Sequence, residues 1–133
     1  MNNKRLGTEF ERELCELLAK IGYWVHFISP DRSGAQPFDI IAVKKCKAYA
    51  IDCKTCESDV FSISRLEDNQ IFAFERWLRC ENTQPIIAIK HKGNIKILYY
   101  EYLKEFKSVK ISELSDFKYK MCGCKTDYEG VIV

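Results

Sequence analysis

The sequence has little of what marks chains that do not fold into a compact core. Three prolines and six glycines in 133 residues leave no Pro/Gly-rich linker, no low-complexity segment and no internal repeat. No apolar run approaches the length that spans a bilayer, and the opening MNNKRLGTEF lacks the apolar centre of a signal peptide. The expectation is a cytoplasmic protein with no membrane partner. Histidine occurs twice, and His26 reads as a half-exposed strand residue rather than a catalyst. The seven cysteines are an odd number without a secretion signal, which argues against a disulfide framework and for reduced thiols.

What is present is a globular composition. Hydrophobic residues make up 47%, too many for a disordered chain, and the length suits one domain spanning residues 1–133. The formal charge of +2 neither supports nor excludes nucleic acid. Its distribution says more. From Ile86 to Lys125 nine lysines face four acids, a local balance of +5 that fits either a phosphate-binding surface or a soluble lysine-rich face.

The chain centres on residues 33–54. Phe38 to Val43 and Ala48 to Lys54 are apolar, rich in β-branched residues, and joined by the basic turn Lys44-Lys45-Cys46-Lys47. They read as two antiparallel strands. Alternation puts Asp52 and Lys54 on one face and Ile51 and Cys53 on the other. A hairpin lays the start of one strand beside the end of the next, so Asp39 meets Asp52. Two carboxylates and an ammonium on an apolar sheet are costly to desolvate, and a hard divalent cation such as Mg²⁺ relieves their repulsion. A strand cap at Asp39 and a surface ion pair at Asp52 and Lys54 would account for the same residues.

Around this hairpin, Phe10, Leu14, Leu17, Leu18 and Ile21 recur at helical spacing, closed by Gly22. Thr8-x-x-Glu11 has the form of a capping box, while Glu11 also sits at the edge of the apolar stripe, facing the sheet. The two roles exclude each other, so either the helix starts nearer Gly7 or the box does not form. Residues 23–28 read as a strand. The loop 29–34 offers Arg32 and Ser33 to a phosphate, or simply to solvent. Ser64-x-x-Glu67 reads as a second capping box opening a helix to about Cys80, with Gln70 near its packed side. There the glutamine contacts a water or a phosphate, or is a satisfied interior amide. Two more strands, 85–90 and 95–100, flank a Gly93-Asn94 turn. Tyr102 to Phe106 reads as a short helix or turn, and the tail as irregular with one or two edge strands. The order α-β-β-β-α-β-β plus a mixed tail implies an α/β fold, a central mixed sheet flanked by helices.

Taken together, Gly7, Glu11-Arg12, Ser33-Gly34, Pro37-Phe38-Asp39, Asp52-x-Lys54 and Gln70 resemble the PD-(D/E)xK nuclease superfamily. Within it they are most similar to Holliday junction resolvases of the archaeal and RecU types. The resemblance implies a restriction-endonuclease-like fold and an Mg²⁺- or Mn²⁺-dependent structure-specific DNA endonuclease that hydrolyses phosphodiesters at four-way junctions, in recombination or repair. It implies Glu11, Asp39, Asp52 and the carbonyl of Cys53 as metal ligands, Lys54 as the group that activates water, Gln70 as its helper, Arg12 as a DNA contact, and a homodimer. The sequence departs from the family pattern in Phe38, which separates Pro37 from Asp39, in aspartate rather than glutamate at 52, and in the lack of the stalk that RecU inserts into its sheet. Three rivals remain: a related nuclease for flaps or duplex, a nuclease fold that only binds DNA, and a small zinc-stabilised module built on Cys53, Cys56, Cys122 and Cys124.

Overall fold

A computed structural model describes residues 3–29 and 36–121, without the side chains of residues 3–8 and 119. Helix α1 runs from Asn3 to Lys20 and packs Phe10, Leu14 and Leu18 onto the sheet. Its start, five residues before Thr8, corrects the capping box expected there and leaves Glu11 inside the helix, free of a capping role. Its end is as expected. The Tyr23 N–H bonds the Leu18 carbonyl at 3.0 Å and the Gly22 N–H bonds that of Ala19 at 3.1 Å. This closing pattern needs the positive φ of +103° that Gly22 supplies.

Strands β1 (Trp24–Phe27), β2 (Ile40–Lys44) and β3 (Lys47–Thr55) form an antiparallel meander. The chain then makes a short strand β4 (Val60–Ser62), a 3₁₀ turn at Ile63–Arg65 and helix α2 (Asp68–Leu78). The capping serine differs from the expected one: Ser62 Oγ accepts from the Ser64 N–H inside the 3₁₀ turn, and α2 opens only after Glu67. Strand β5 (Ile86–His91) then returns parallel to β3, the one parallel pairing among the described residues, and β6 (Asn94–Tyr99) pairs antiparallel to it. The tight turn between them is Lys92-Gly93, both at positive φ, one residue earlier than Gly93-Asn94. Helix α3 (Tyr100–Phe106), strand β7 (Ser108–Lys110), a second 3₁₀ turn, strand β8 (Ser115–Asp116) and the single-turn α4 (Phe117–Lys120) follow.

The main sheet has the order β1-β2-β3-β5-β6-β8. One face is covered by α1 over Ile40, Ala42, Ile51, Cys53, Ile86 and Ala88. The other carries Phe74 of α2 and Leu103 of α3 over Ala50, Ile87, Ile89 and Leu98. This is the mixed sheet between helices that the element order implied. The pairing of β4 with β7 in a separate ribbon is new, and it buries Phe61 and Val109. Among the described residues no helix is long and apolar enough to cross a membrane.

Candidate active site

The register Ile40↔Ile51 places Asp39 across from Asp52, one step beyond the ladder. Asp39 is built in by its backbone and its side chain together. Its N–H donates to Ile51 O (3.1 Å), its carbonyl accepts from the Ile28 N–H (2.8 Å), and Oδ2 accepts from the Cys53 N–H (2.8 Å). The carboxylate thus takes the place of the carbonyl that β2 no longer supplies, and β3 runs on past it.

Asp52 is fully buried on the α2 face of β3. Its Oδ1 accepts from Gln70 Nε2 at 2.9 Å. Lys54, 17% exposed on the same face, brings Nζ to 3.2 Å from Asp52 Oδ2 and donates to Gln70 Oε1, also at 3.2 Å. The contact to Oδ2 is an ion pair without hydrogen-bond alignment, so that oxygen keeps unused acceptor capacity in a buried place. Gln70 Oε1 also accepts from the Glu67 N–H (3.0 Å) at the first turn of α2. Both ends of the Gln70 amide are therefore engaged by protein groups. Its hydrogen bonds run to Asp52, Lys54 and the Glu67 N–H.

Glu11 comes from the α1 side. Burial pushes its carboxyl up to about 7, helped by the charge of Asp39 and a hydrogen bond with it and opposed by Lys54. Burial likewise raises Asp52 well above the usual carboxylate range, with Asp39 again the second cause and Lys54 opposing. Asp39 is the hub: it couples to the acid from α1 and to the acid under α2. Three carboxylates gather near one ammonium, a surplus of negative charge, and burial raises two of them, Glu11 and Asp52. Among the described residues no three acids, histidines or cysteines already form a chelating cage. The donor set nevertheless fits a hard cation, with oxygen ligands, surplus negative charge and an unsatisfied buried Asp52 Oδ2. The Cys53 side chain lies in the α1-side core, and burial together with Asp39 and Asp52 pushes its thiol up. Only its carbonyl suits the ligand role expected of it.

Arg12 is exposed on α1, next to Glu11 in sequence. Arg32 and Ser33 lie outside the described residues. His26 stacks on Trp24 (ring centres 6.1 Å apart, planes 9° apart) and is exposed on the edge strand. The CxxC half of the zinc reading does not hold. Cys53 and Cys56 belong to core clusters on opposite faces of the sheet, as residues three apart in an extended segment must. Cys122 and Cys124 lie outside the described residues. Two contacts near the site escaped the sequence reading. Asn69 Nδ2 holds the Gln36 carbonyl (2.9 Å) before Asp39, and Arg65 Nη2 holds the Thr55 carbonyl (2.9 Å) just after Lys54. Both depend on segments that meet only in three dimensions, and no local pattern announces them.

The family model described as archaeal Holliday junction resolvase (Hjc) matches residues 2–119. The chain is 28% identical over 121 residues to a crossover junction endodeoxyribonuclease of Sulfolobus islandicus rod-shaped virus 1, covering 90% of this chain and 97% of that protein. It is 31% identical over 91 residues to the crossover junction endodeoxyribonuclease Hjc of Methanocaldococcus jannaschii, covering 68% of this chain and 63% of the relative. The solved structure of Archaeoglobus fulgidus Hjc, a Holliday junction resolvase, shares the fold with a TM-score of 0.61 at 21% identity, over 78% of this chain and 86% of that one. Of the two resolvase types that the motifs resemble, the archaeal one is matched, and the chain belongs to the archaeal Holliday junction resolvase family.

Proposed function

We propose that this protein is an endodeoxyribonuclease that resolves four-way DNA junctions with a divalent cation, Mg²⁺ or Mn²⁺, held by Glu11, Asp39, Asp52 and the Cys53 carbonyl. The observation that carries the reading is the junction of Asp39 with both Glu11 and Asp52, beside the ammonium of Lys54. A cation bound there supplies Lewis-acid stabilisation of the charge that builds on the phosphate during hydrolysis. The rest falls to the chain's own groups. Asp39, locked into the β2–β3 ladder, sets the position of the other two acids. Lys54 is the cation at the mouth of the site. It steers the attacking water or steadies a phosphate oxygen, and Gln70 fixes its direction. Arg12, Arg32 and Ser33 contact the DNA backbone. Junction recognition then rests on charge and shape more than on bases.

A four-way junction has two-fold symmetry, and paired nicks need two sites, so we infer a C2 homodimer. Phe72, 62% exposed on α2, supports an apolar contact on that helix. The protein acts as one domain.

Side-by-side digestion of a synthetic four-way junction, a flap and a linear duplex tests this function. The expected result is Mg²⁺-dependent cleavage with preference for the junction. Asp52→Asn and Lys54→Ala are each expected to lower it roughly a hundredfold or more. Preferential cutting of flap or duplex would move the protein to another nuclease class. Intact binding without cleavage under any divalent ion would make it a DNA-binding protein only.

A further inference from the structure

Arg65 ends the 3₁₀ turn between β4 and α2, where nothing in the family motifs assigns a role. Its side chain is exposed yet held. Nη2 donates to the Thr55 carbonyl at 2.9 Å, and the guanidinium carbon lies 5.2 Å from the ring centre of Phe61, which is fully buried. One N–H of the fork is thus fixed by backbone and the guanidinium is braced by an immobile ring. Among the described residues no carboxylate lies within ion-pair distance of it. A guanidinium ordered in advance and left without an anion loses little entropy on taking a phosphate.

Its setting gives the anion a direction. A cleft of about 630 Å³ opens between the first half of α1 and the ends of β3 and β5, lined by the acids Glu9, Glu13 and Glu57, by Thr55, and by the cations Lys90 and Arg65 among others. The α1 wall carries Glu9 and Glu13, and Glu13 already takes the ammonium of Lys90 at 2.7 Å. Arg65 is the unpaired cation of the cleft among the described residues, and it stands on the side where β3 leaves the active site. Three residues of strand separate Asp52 from Thr55, ~10 Å at the usual rise. That distance places Arg65 within a few nucleotides of a phosphate held at the carboxylates.

We propose that Arg65 binds a backbone phosphate flanking the scissile one, and so sets the path of the cut strand out of the active site. The inference rests on the nuclease function proposed above. The test is cleavage and binding of a synthetic four-way junction by wild type, Arg65→Ala, Arg65→Lys and Arg65→Gln. Arg65→Gln removes the charge but keeps a polar side chain and is expected to behave as Arg65→Ala, and the melting temperatures of all variants guard against a folding defect. The expected result is a KM and a Kd raised about tenfold in Arg65→Ala with kcat within about twofold, partial recovery in Arg65→Lys, and a salt-dependence slope smaller by about one unit. A single neutral methylphosphonate, moved along the strand near the nick, is expected to weaken the wild type at one position and to leave Arg65→Ala unaffected there. Unchanged KM and salt slope in Arg65→Ala, or a loss of kcat together with a lowered melting temperature, would overturn the assignment while the junction is still cut by wild type. Failure of the wild type to cut or bind the junction would overturn the nuclease function and this inference with it.

Discussion

At the scale of single residues, burial beside Asp39 ties the charge of Glu11 to pH. Glu11 titrates near 7 when folded, against an ordinary value of 4.5, because it is half buried beside Asp39. Between those two values the native state binds a proton that the unfolded chain has released. Stability contributed by this group is therefore highest at low pH and falls as pH rises from about 4.5 to about 7. Without divalent cation, the wild type is expected to melt at a higher temperature at pH 5.5 than at pH 8. Glu11→Gln is expected to flatten that dependence, and Mg²⁺ added at pH 8 to restore the lost stability. Differential scanning calorimetry checks all three; a wild type whose melting temperature rises across this window would refute the raised carboxyl of Glu11. Asp39, by contrast, is tied down by the Cys53 N–H. The pairing of Asp39 with Asp52 was legible from strand alternation and hairpin folding alone. Their link to Glu11 was half legible: the apolar stripe placed Glu11 toward the sheet, but Thr8-x-x-Glu11 equally matched a helix start. A capping signature is local, and it cannot report that the helix already runs from Asn3.

At the scale of elements, the site depends on how α2 begins. Gln70 closes the first turn of that helix and holds Asp52 and Lys54 with the same amide. Gln70→Ala is expected to destabilise the protein by about 1–3 kcal/mol, since a buried carboxylate oxygen and a helix N–H lose partners. It is also expected to lower cleavage by roughly tenfold through misplacement of Lys54. Urea unfolding and single-turnover cleavage measure the two effects; full activity would show that Lys54 needs no guide. The sequence placed Gln70 near the packed side of the helix, but its partners depend on where α2 crosses β3, which no periodicity reveals. The pairing of β4 with β7, some fifty residues apart in the chain, was unreadable for the same reason. At the far end of the β2–β3 hairpin, Lys45 and Cys46 both take positive φ, a conformation that suits Asn-Gly. Replacing them by Lys45→Asn with Cys46→Gly is expected to stabilise the protein by about 0.5–2 kcal/mol without changing cleavage. A loss of stability in thermal melts would show that the lysine and cysteine side chains matter there.

At the scale of the whole molecule, a mixed sheet carries acids from three segments to one edge of its β2–β3 ladder. Helix α1 delivers one from one layer, and α2 seals another from the opposite layer. The carboxylates meet where β2 stops, in a buried place that disfavours their charge, and solvent reaches the site at Lys54. Whether these acids act together is answered most directly by titrating Mn²⁺ into the purified protein at pH 8 and following free Mn²⁺ by electron paramagnetic resonance. The expected result is stoichiometric uptake by the wild type, at least tenfold weaker in Glu11→Gln and abolished in Asp52→Asn. Uptake by Asp52→Asn equal to that of the wild type would contradict a cation site made of these carboxylates.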